Sequence, residues 1–277
     1  MSGSTIRTLP LLAGLLLVTG CETEPDSSGP QYTTGYRSGV EVGNTAFDYT
    51  SSGERGSMWV TEVNWAGSVE GALNARVHHP DDIFIEIQNR HPRDMWLTRW
   101  IVVVKTSSNL DRLPNDYLFR NDATRAWVLP APRSGRPLAP NAYAVIAARD
   151  DGAFASADYI VPGFMLPQGP FAIELYDPDE RIIDAVGDVH KELFAGAWDQ
   201  VTARSMERSQ VLFGNLGGRD ASWHSYSLND FDQGSLGQQH AELRANVAEG
   251  WRTLTFATPG LPNSPDYSGS VSSGAED

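Results

Sequence analysis

Cysteine is almost absent from this chain, with one, Cys21, in 277 residues. No intrachain disulfide can form, so whatever folds here stands on its hydrophobic core. Long apolar runs are missing too. The run from Leu9 to Val18 is about half of the roughly 20 residues that a membrane-crossing helix needs. Basic residues are few: 21 Lys and Arg stand against 35 Asp and Glu, a net charge of −14. Such a field repels phosphate backbones, and nucleic-acid binding relies on clustered Lys and Arg, so no nucleic-acid partner is expected. Several signatures of common chemistries are also lacking. There is no Gly-x-Ser-x-Gly nucleophile turn, no Gly-x-x-x-x-Gly-Lys phosphate loop and no His-Glu-x-x-His metal pair. Gly214, Gly217 and Gly218 have no following Lys or helix start and read as turn residues.

What is present begins with the position of Cys21. It closes Leu17-Val18-Thr19-Gly20-Cys21 behind one basic residue, Arg7, and the short apolar run. This arrangement resembles the lipobox of bacterial lipoprotein signal peptides. The resemblance implies cleavage after Gly20, acyl chains on the Cys21 thiol and on the new amino terminus, and no other cofactor. Burying acyl chains contributes about 0.8 kcal/mol per CH₂, so two or three chains anchor stably where one would not. The mature protein is then expected in the cell envelope, outside the cytoplasm, attached to a membrane without crossing it. Glu22 follows the cysteine rather than the Asp that retains many lipoproteins in an inner membrane, which favours the outer membrane.

Composition divides the rest. Residues 21–56 are rich in Ser, Gly, Thr, Pro and acid with isolated aromatics, too little apolar surface to offset ordering entropy, and read as a flexible tether. Residues 265–277 read as a frayed tail. Between them, 57–264 carries short runs of alternating apolar residues, such as Ile83, Ile85 and Ile87, or Phe171, Ile173 and Leu175. Period two means half-buried strands. Phe171 to Tyr176, the acidic turn Asp177-Pro178-Asp179-Glu180, and Arg181 to Gly187 predict a hairpin. Further strands are expected over Met58 to Trp65, Trp96 to Lys105, Ala142 to Arg149, Ala203 to Val211 and Trp251 to Phe256. Helical patterning is limited to Leu236 to Glu249, with Gln239, Leu243 and Val247 on one face, and a short stretch near Val189 to Trp198. Many short strands separated by Gly and Pro predict an all-β antiparallel sandwich or barrel.

Several segments, in order, resemble bacterial lamin-tail domains. They are Trp59-Val60-Thr61-Glu62-Val63-Asn64-Trp65, Asp82 to Asn89 with its Glu-x-x-Asn, Met95 to Trp100, Ile182-Ile183-Asp184-Ala185-Val186, Ser205-Met206-Glu207-Arg208, and the closing Ala257-Thr258-Pro259-Gly260-Leu261-Pro262-Asn263. The resemblance implies an immunoglobulin-like antiparallel β-sandwich and a non-catalytic binding or structural module, with a protein or glycan as partner. Residues 109–140 and 226–251 are then long loop insertions, the second carrying the main helical pattern, and loops are where relatives differ in what they bind.

Glu62 and Glu86, with Asp184, are the carboxylates an envelope hydrolase would use, since paired carboxylates flank the bond in glycosidases. That role requires an open cleft. A structural role instead pairs Glu86 with Arg208 and sets Asn64 and Asn89 against loop backbone. His78 and His79 are acceptable metal ligands, but neighbours on an extended chain point opposite ways. Asp177, Asp179 and Glu180 could hold Ca²⁺, as a Ca²⁺-dependent adhesion module would, without the spacing of a dedicated calcium loop. Of eight tryptophans, Trp59, Trp65, Trp96, Trp100 and Trp223 fall on strand positions as core. Trp127, Trp198 and Trp251 lie in or beside the insertions and are the candidate binding residues.

Overall fold

Alternating side chains build two sheets that share one core. The computed structural model describes residues 50–107, 126–209, 217–228 and 235–267, all within the second of two units of the chain, Tyr32–Asp277. The signal segment, Cys21, the tether up to residue 49 and the tail beyond 267 lie outside the described residues.

The larger sheet has six strands, in chain order β1 (Met58–Asn64), β4 (Phe84–Asn89), β7 (Tyr143–Ala147), β8 (Tyr159–Ile160), β13 (Met206–Arg208) and β14 (Trp223–Ser225). Their spatial order is β14-β13-β1-β4-β7-β8. The facing sheet runs β10-β9-β5-β6, from β5 (Ile101–Lys105), β6 (Ala126–Val128), β9 (Ala172–Tyr176) and β10 (Ile182–Gly187). The predicted 171–187 hairpin is the β9–β10 pair. Val60, Val63, Ile85, Ile87 and Ile146 from one sheet meet Val102, Val104, Ile173, Leu175 and Val186 from the other, with Trp100 fully buried among them. This is an all-β sandwich, antiparallel except where β8 pairs with β7 and where β15 (Thr255–Phe256) pairs with β12 (Ala203–Arg204). The second exception belongs to a small sheet, β11-β12-β15, with β11 at Ala197–Trp198. A separate hairpin joins β2 (Ser68–Glu70) to β3 (Val77–His79).

One bulge decides which way β1 faces. Val60 lies opposite Ile87 and Glu62 opposite Glu86, leaving Thr61 as an extra residue. A regular strand would turn Glu62 to the same side as Met58 and Val60. The inserted residue reverses the alternation, so Val63 joins Met58 and Val60 in the core while Glu62 takes the opposite face with Glu86.

Expected boundaries shift for local reasons. The strand expected from Trp96 starts at Ile101, because Arg99 takes a positive φ of 68° and the Trp100 N–H bonds Leu97 O. Ala203 to Val211 is broken at Ser205, which bonds Phe256 O as the chain passes from the small sheet to the large one. Residues 251–254 form turns, held by Thr255 N–H to Trp251 O and by the Arg252 guanidinium on Val247 O. Near Val189 the chain is not helical: Asp188 accepts the His190 N–H, a local bond that competes with helix. The helix α1 spans Ser235–Leu243. Its buried side carries His240, followed by Arg244 and Val247 beyond the helix, one position round from the expected Gln239 face. Within 109–140, residues 109–125 lie outside the described residues, but 126–128 form β6 rather than loop.

The body also begins earlier than residue 57. Ser51 bonds Trp96 through its N–H and hydroxyl, and its carbonyl accepts the Trp100 indole N–H. Deleting Thr61 should return β1 to strict alternation and drive Glu62 into the apolar core. A loss exceeding about 4 kcal/mol is expected, seen as absent cooperative unfolding by near-UV circular dichroism.

Candidate functional site

Three strands bring three glutamates side by side. Glu62 on β1 is in register with Glu86 on β4 and with Glu207 on β13, so all three share the outer face of the large sheet, and all are 0% exposed. The closing segment covers them, giving each carboxyl a backbone N–H. Thr258 N–H donates to Glu62 at 2.9 Å, Gly260 N–H to Glu86 at 2.7 Å, and Ser264 N–H to Glu207 at 3.0 Å. Hydroxyls complete the set. Thr61 donates to Glu86 at 2.7 Å, Ser264 bonds Glu207, and Thr258 Oγ1 lies 2.9 Å from Glu62 and 3.2 Å from Glu207. Gly260 adopts φ +75°, which favours a residue without Cβ.

Desolvation dominates the electrostatics here. Burial pushes Glu62 up to about 7. Burial, aided by the charge of Glu62, pushes Glu86 and Glu207 well above the usual carboxylate range. The geometry asks for protons as well: one Thr258 hydroxyl proton cannot satisfy two ionised carboxylates at once. Glu62 and Glu86 therefore share a surface, as a catalytic pair would, but under the closing segment rather than in an open cleft.

The expected Glu86–Arg208 pair does not form. Arg208 Nη1 instead donates to Asp184 Oδ2 at 2.7 Å, because Met206 faces the core and Arg208, two residues on, points the same way toward the facing sheet. Strands β1 and β13 pair only at Glu62–Glu207 and Val63–Met206. Where they part, Val60 N–H donates to Asp184 at 2.9 Å and Val60 O accepts from Arg208 at 3.2 Å. Asn263 Nδ2 spans the same split, donating to Thr61 O and Arg208 O. Burial raises Asp184, opposed by the Arg208 charge. Asn64 and Asn89 do hold loop backbone, through Gly67 O for the first and through Arg93 O and Leu138 O for the second.

The candidate tryptophans separate. Trp127 is buried in the shared core, its indole N–H on Gly163 O and its ring edge-on to Phe164. Its alternation on β6, paired with Val102, turns it inward. Trp198 and Trp251 are half-buried and grip the β2–β3 hairpin. Trp198 stacks on His78 at 3.8 Å, and Trp251 lies 6.4 Å from His79. The two histidines alternate on β3, one toward Ala66 O and the other toward Glu70, so the tryptophans do not form one platform.

In the β9–β10 turn, Asp177 is buried and accepts from the Arg181 guanidinium at 2.7 Å and from the N–H groups of Asp179 and Arg181. Asp179 accepts the Ser52 hydroxyl. Glu180 takes the left-handed φ of 60°. Among the described residues no group of three or more His, Cys, Asp or Glu is placed to hold a metal. Cys21 lies outside the described residues.

No family model matches this chain, and no curated protein matches it. Among solved structures it is similar to a DUF4876 family protein from Bacteroides thetaiotaomicron, at 11% identity and a TM-score of 0.38, over 77% of this chain and 75% of that one. A likeness this loose says nothing of what the protein does.

Sequence reasoning missed two features. Glu207 belongs with Glu62 and Glu86, and its signal was Met206, whose inward turn sends Glu207 outward. Trp59, assigned to the core, is half-buried and sits under two guanidiniums, those of Arg90 at 4.3 Å and Arg208 at 4.5 Å. Alternation with Met58 and Val60 already pointed it outward.

Two outcomes follow from these contacts. Glu62 binds its proton more tightly folded than unfolded, so its contribution to stability is complete below its ordinary value of 4.5 and is lost as pH rises through about 7. Urea midpoints should fall between about pH 5 and about pH 8, and Glu62→Gln should flatten that fall. Asp184→Ala strands the buried Arg208 and should cost about 3 to 5 kcal/mol, most of it recovered in D184L/R208M, as read by urea unfolding.

Proposed function

We propose that this protein is a lipid-anchored, extracytoplasmic module of a bacterial cell envelope that binds or scaffolds rather than catalyses. Its body is read as an immunoglobulin-like sandwich of the lamin-tail type. The observation that carries the non-catalytic part is the engagement of the three buried glutamates: each accepts backbone N–H groups of the closing segment, so a substrate would have to displace that segment to reach them. Asp184, the third residue of the hydrolase alternative, is committed to Arg208 and Val60. The oxygens of Asp177, central to a calcium-dependent adhesion role, face a guanidinium.

Anchoring is supported by the single cysteine behind a short apolar run. Among the described residues no helix is long and apolar enough to cross a membrane. The outer membrane is the favoured location, and a protein or glycan the favoured partner. Trp198 and Trp251 remain the candidate contacts, since half-buried indoles keep some surface for a partner.

The test uses the full chain in a bacterial host fed radiolabelled palmitate. Wild type should take up label and sediment with membranes, whereas Cys21→Ser should do neither. Equal retention of both proteins in the membrane fraction would remove the anchor from the account.

A further inference from the structure

A cleft of about 450 Å³ opens between the start of β1 and the outer edge of β10, lined by Arg55, Trp59, Ile182, Asp184, Arg208 and Gly217 among others. Its size is that of a small-molecule site. Its charge runs against the rest of the chain. Asp184 is committed to Arg208 and to the Val60 N–H, which leaves Arg55 in the lining, and Arg90, stacked 4.3 Å from the ring of the lining Trp59, as further positive charge. Both are exposed, and neither takes part in an ion pair among the described residues. This happens on a protein with 35 acidic residues against 21 basic ones.

The arrangement is built rather than incidental. Trp59 holds the Arg90 and Arg208 guanidiniums over one indole, although Arg90 stands close enough to disfavour the Arg208 charge. Arg208 already has its carboxylate in Asp184, so the charge open to an incoming anion is that of Arg90, with Arg55 in the lining. Planar guanidiniums are suited to the two-point recognition of phosphate or carboxylate. The wall below them is apolar, with the partly exposed Ile182 and Ala185 along β10, and Gly217 brings bare backbone so close to Ala185 O that a Cβ would meet it at 2.3 Å.

We propose that this cleft binds a small organic anion, its phosphate or carboxylate met by Arg55 and Arg90 and its short apolar body resting on Ile182 and Ala185. This deepens the binding-module reading by giving it a ligand class, and it makes no use of the lipid anchor. Labelling of Cys21 can succeed while ligand binding fails, and the reverse, so the two failures are distinguishable.

The experiment is calorimetric titration of the full chain with phenyl phosphate, benzoate and uncharged benzyl alcohol at millimolar concentration. Saturable one-to-one binding is expected for at least one anion and not for the alcohol, and the tighter anion identifies the head group. The R55Q/R90Q variant, altered at two exposed positions and expected to melt like wild type, should bind roughly tenfold more weakly or worse. Ile182→Glu, which adds a carboxylate to the apolar wall, should weaken binding too. Failure of both anions to bind, equal binding of benzyl alcohol, or unchanged affinity in R55Q/R90Q would overturn the proposal.

Discussion

Three carboxyl groups buried on one sheet face are the constraint around which the fold is organised. Leaving them uncovered would make the outer face of the large sheet a polar, solvated surface. Burying them without partners would be prohibitive. The chain resolves this with an irregular segment, Thr258 to Ser264, whose backbone N–H groups are unpaired by any strand and so need acceptors as much as the carboxyls need donors. Each side satisfies the other. Beside this polar strip, Phe84 and Val145 pack with Phe154, Val247 and Ala257 in a second apolar cluster. The outer face of the sheet thus has a core of its own, and the insertion around Val247 is part of it rather than an appendage.

The cross-sheet contact of Arg208 and Asp184 follows from the same geometry. The bulge at Thr61 turns Glu62 outward and lets β13 run beside β1 for only a short distance. Where the two strands separate, backbone groups of Val60 and Thr61 lose their neighbours. A guanidinium, a carboxylate and the Asn263 amide replace them. One extra residue in β1 therefore accounts for the carboxyl strip on one face and for the ion pair that joins the two sheets on the other.

The class of fold was legible because period-two alternation is a local signal. Phe84–Asn89 and the hairpin of Ala172–Tyr176 with Ile182–Gly187 are strands for the same reason in sequence and in structure. Asn64 and Asn89 were legible too, since short amides at strand ends look for turn carbonyls. The partner of Arg208 was not. Glu86 and Asp184 are both acidic residues on strands. Glu86 lies between the core residues Ile85 and Ile87 and so faces outward, while the inward turn of Arg208 beside Met206 toward Asp184 depends on how β13 pairs with β1. Short strands such as β8 and β11 are too brief to carry a period. The arginine cleft joins Arg55, Trp59, Arg90 and residues of β10 that are far apart in the chain, a neighbourhood that only tertiary pairing creates.

The segment that caps the glutamates lies at the downstream end of the body. Both large sheets and the small sheet with β15 are built from residues ahead of Thr258, so every described strand can pair while the three acids still have no lid. Without Thr258 to Ser264 each carboxyl would lose its backbone donor and would have to take water in its place. A chain cut just ahead of Thr258 would therefore keep every described strand and still be left open on its outer face.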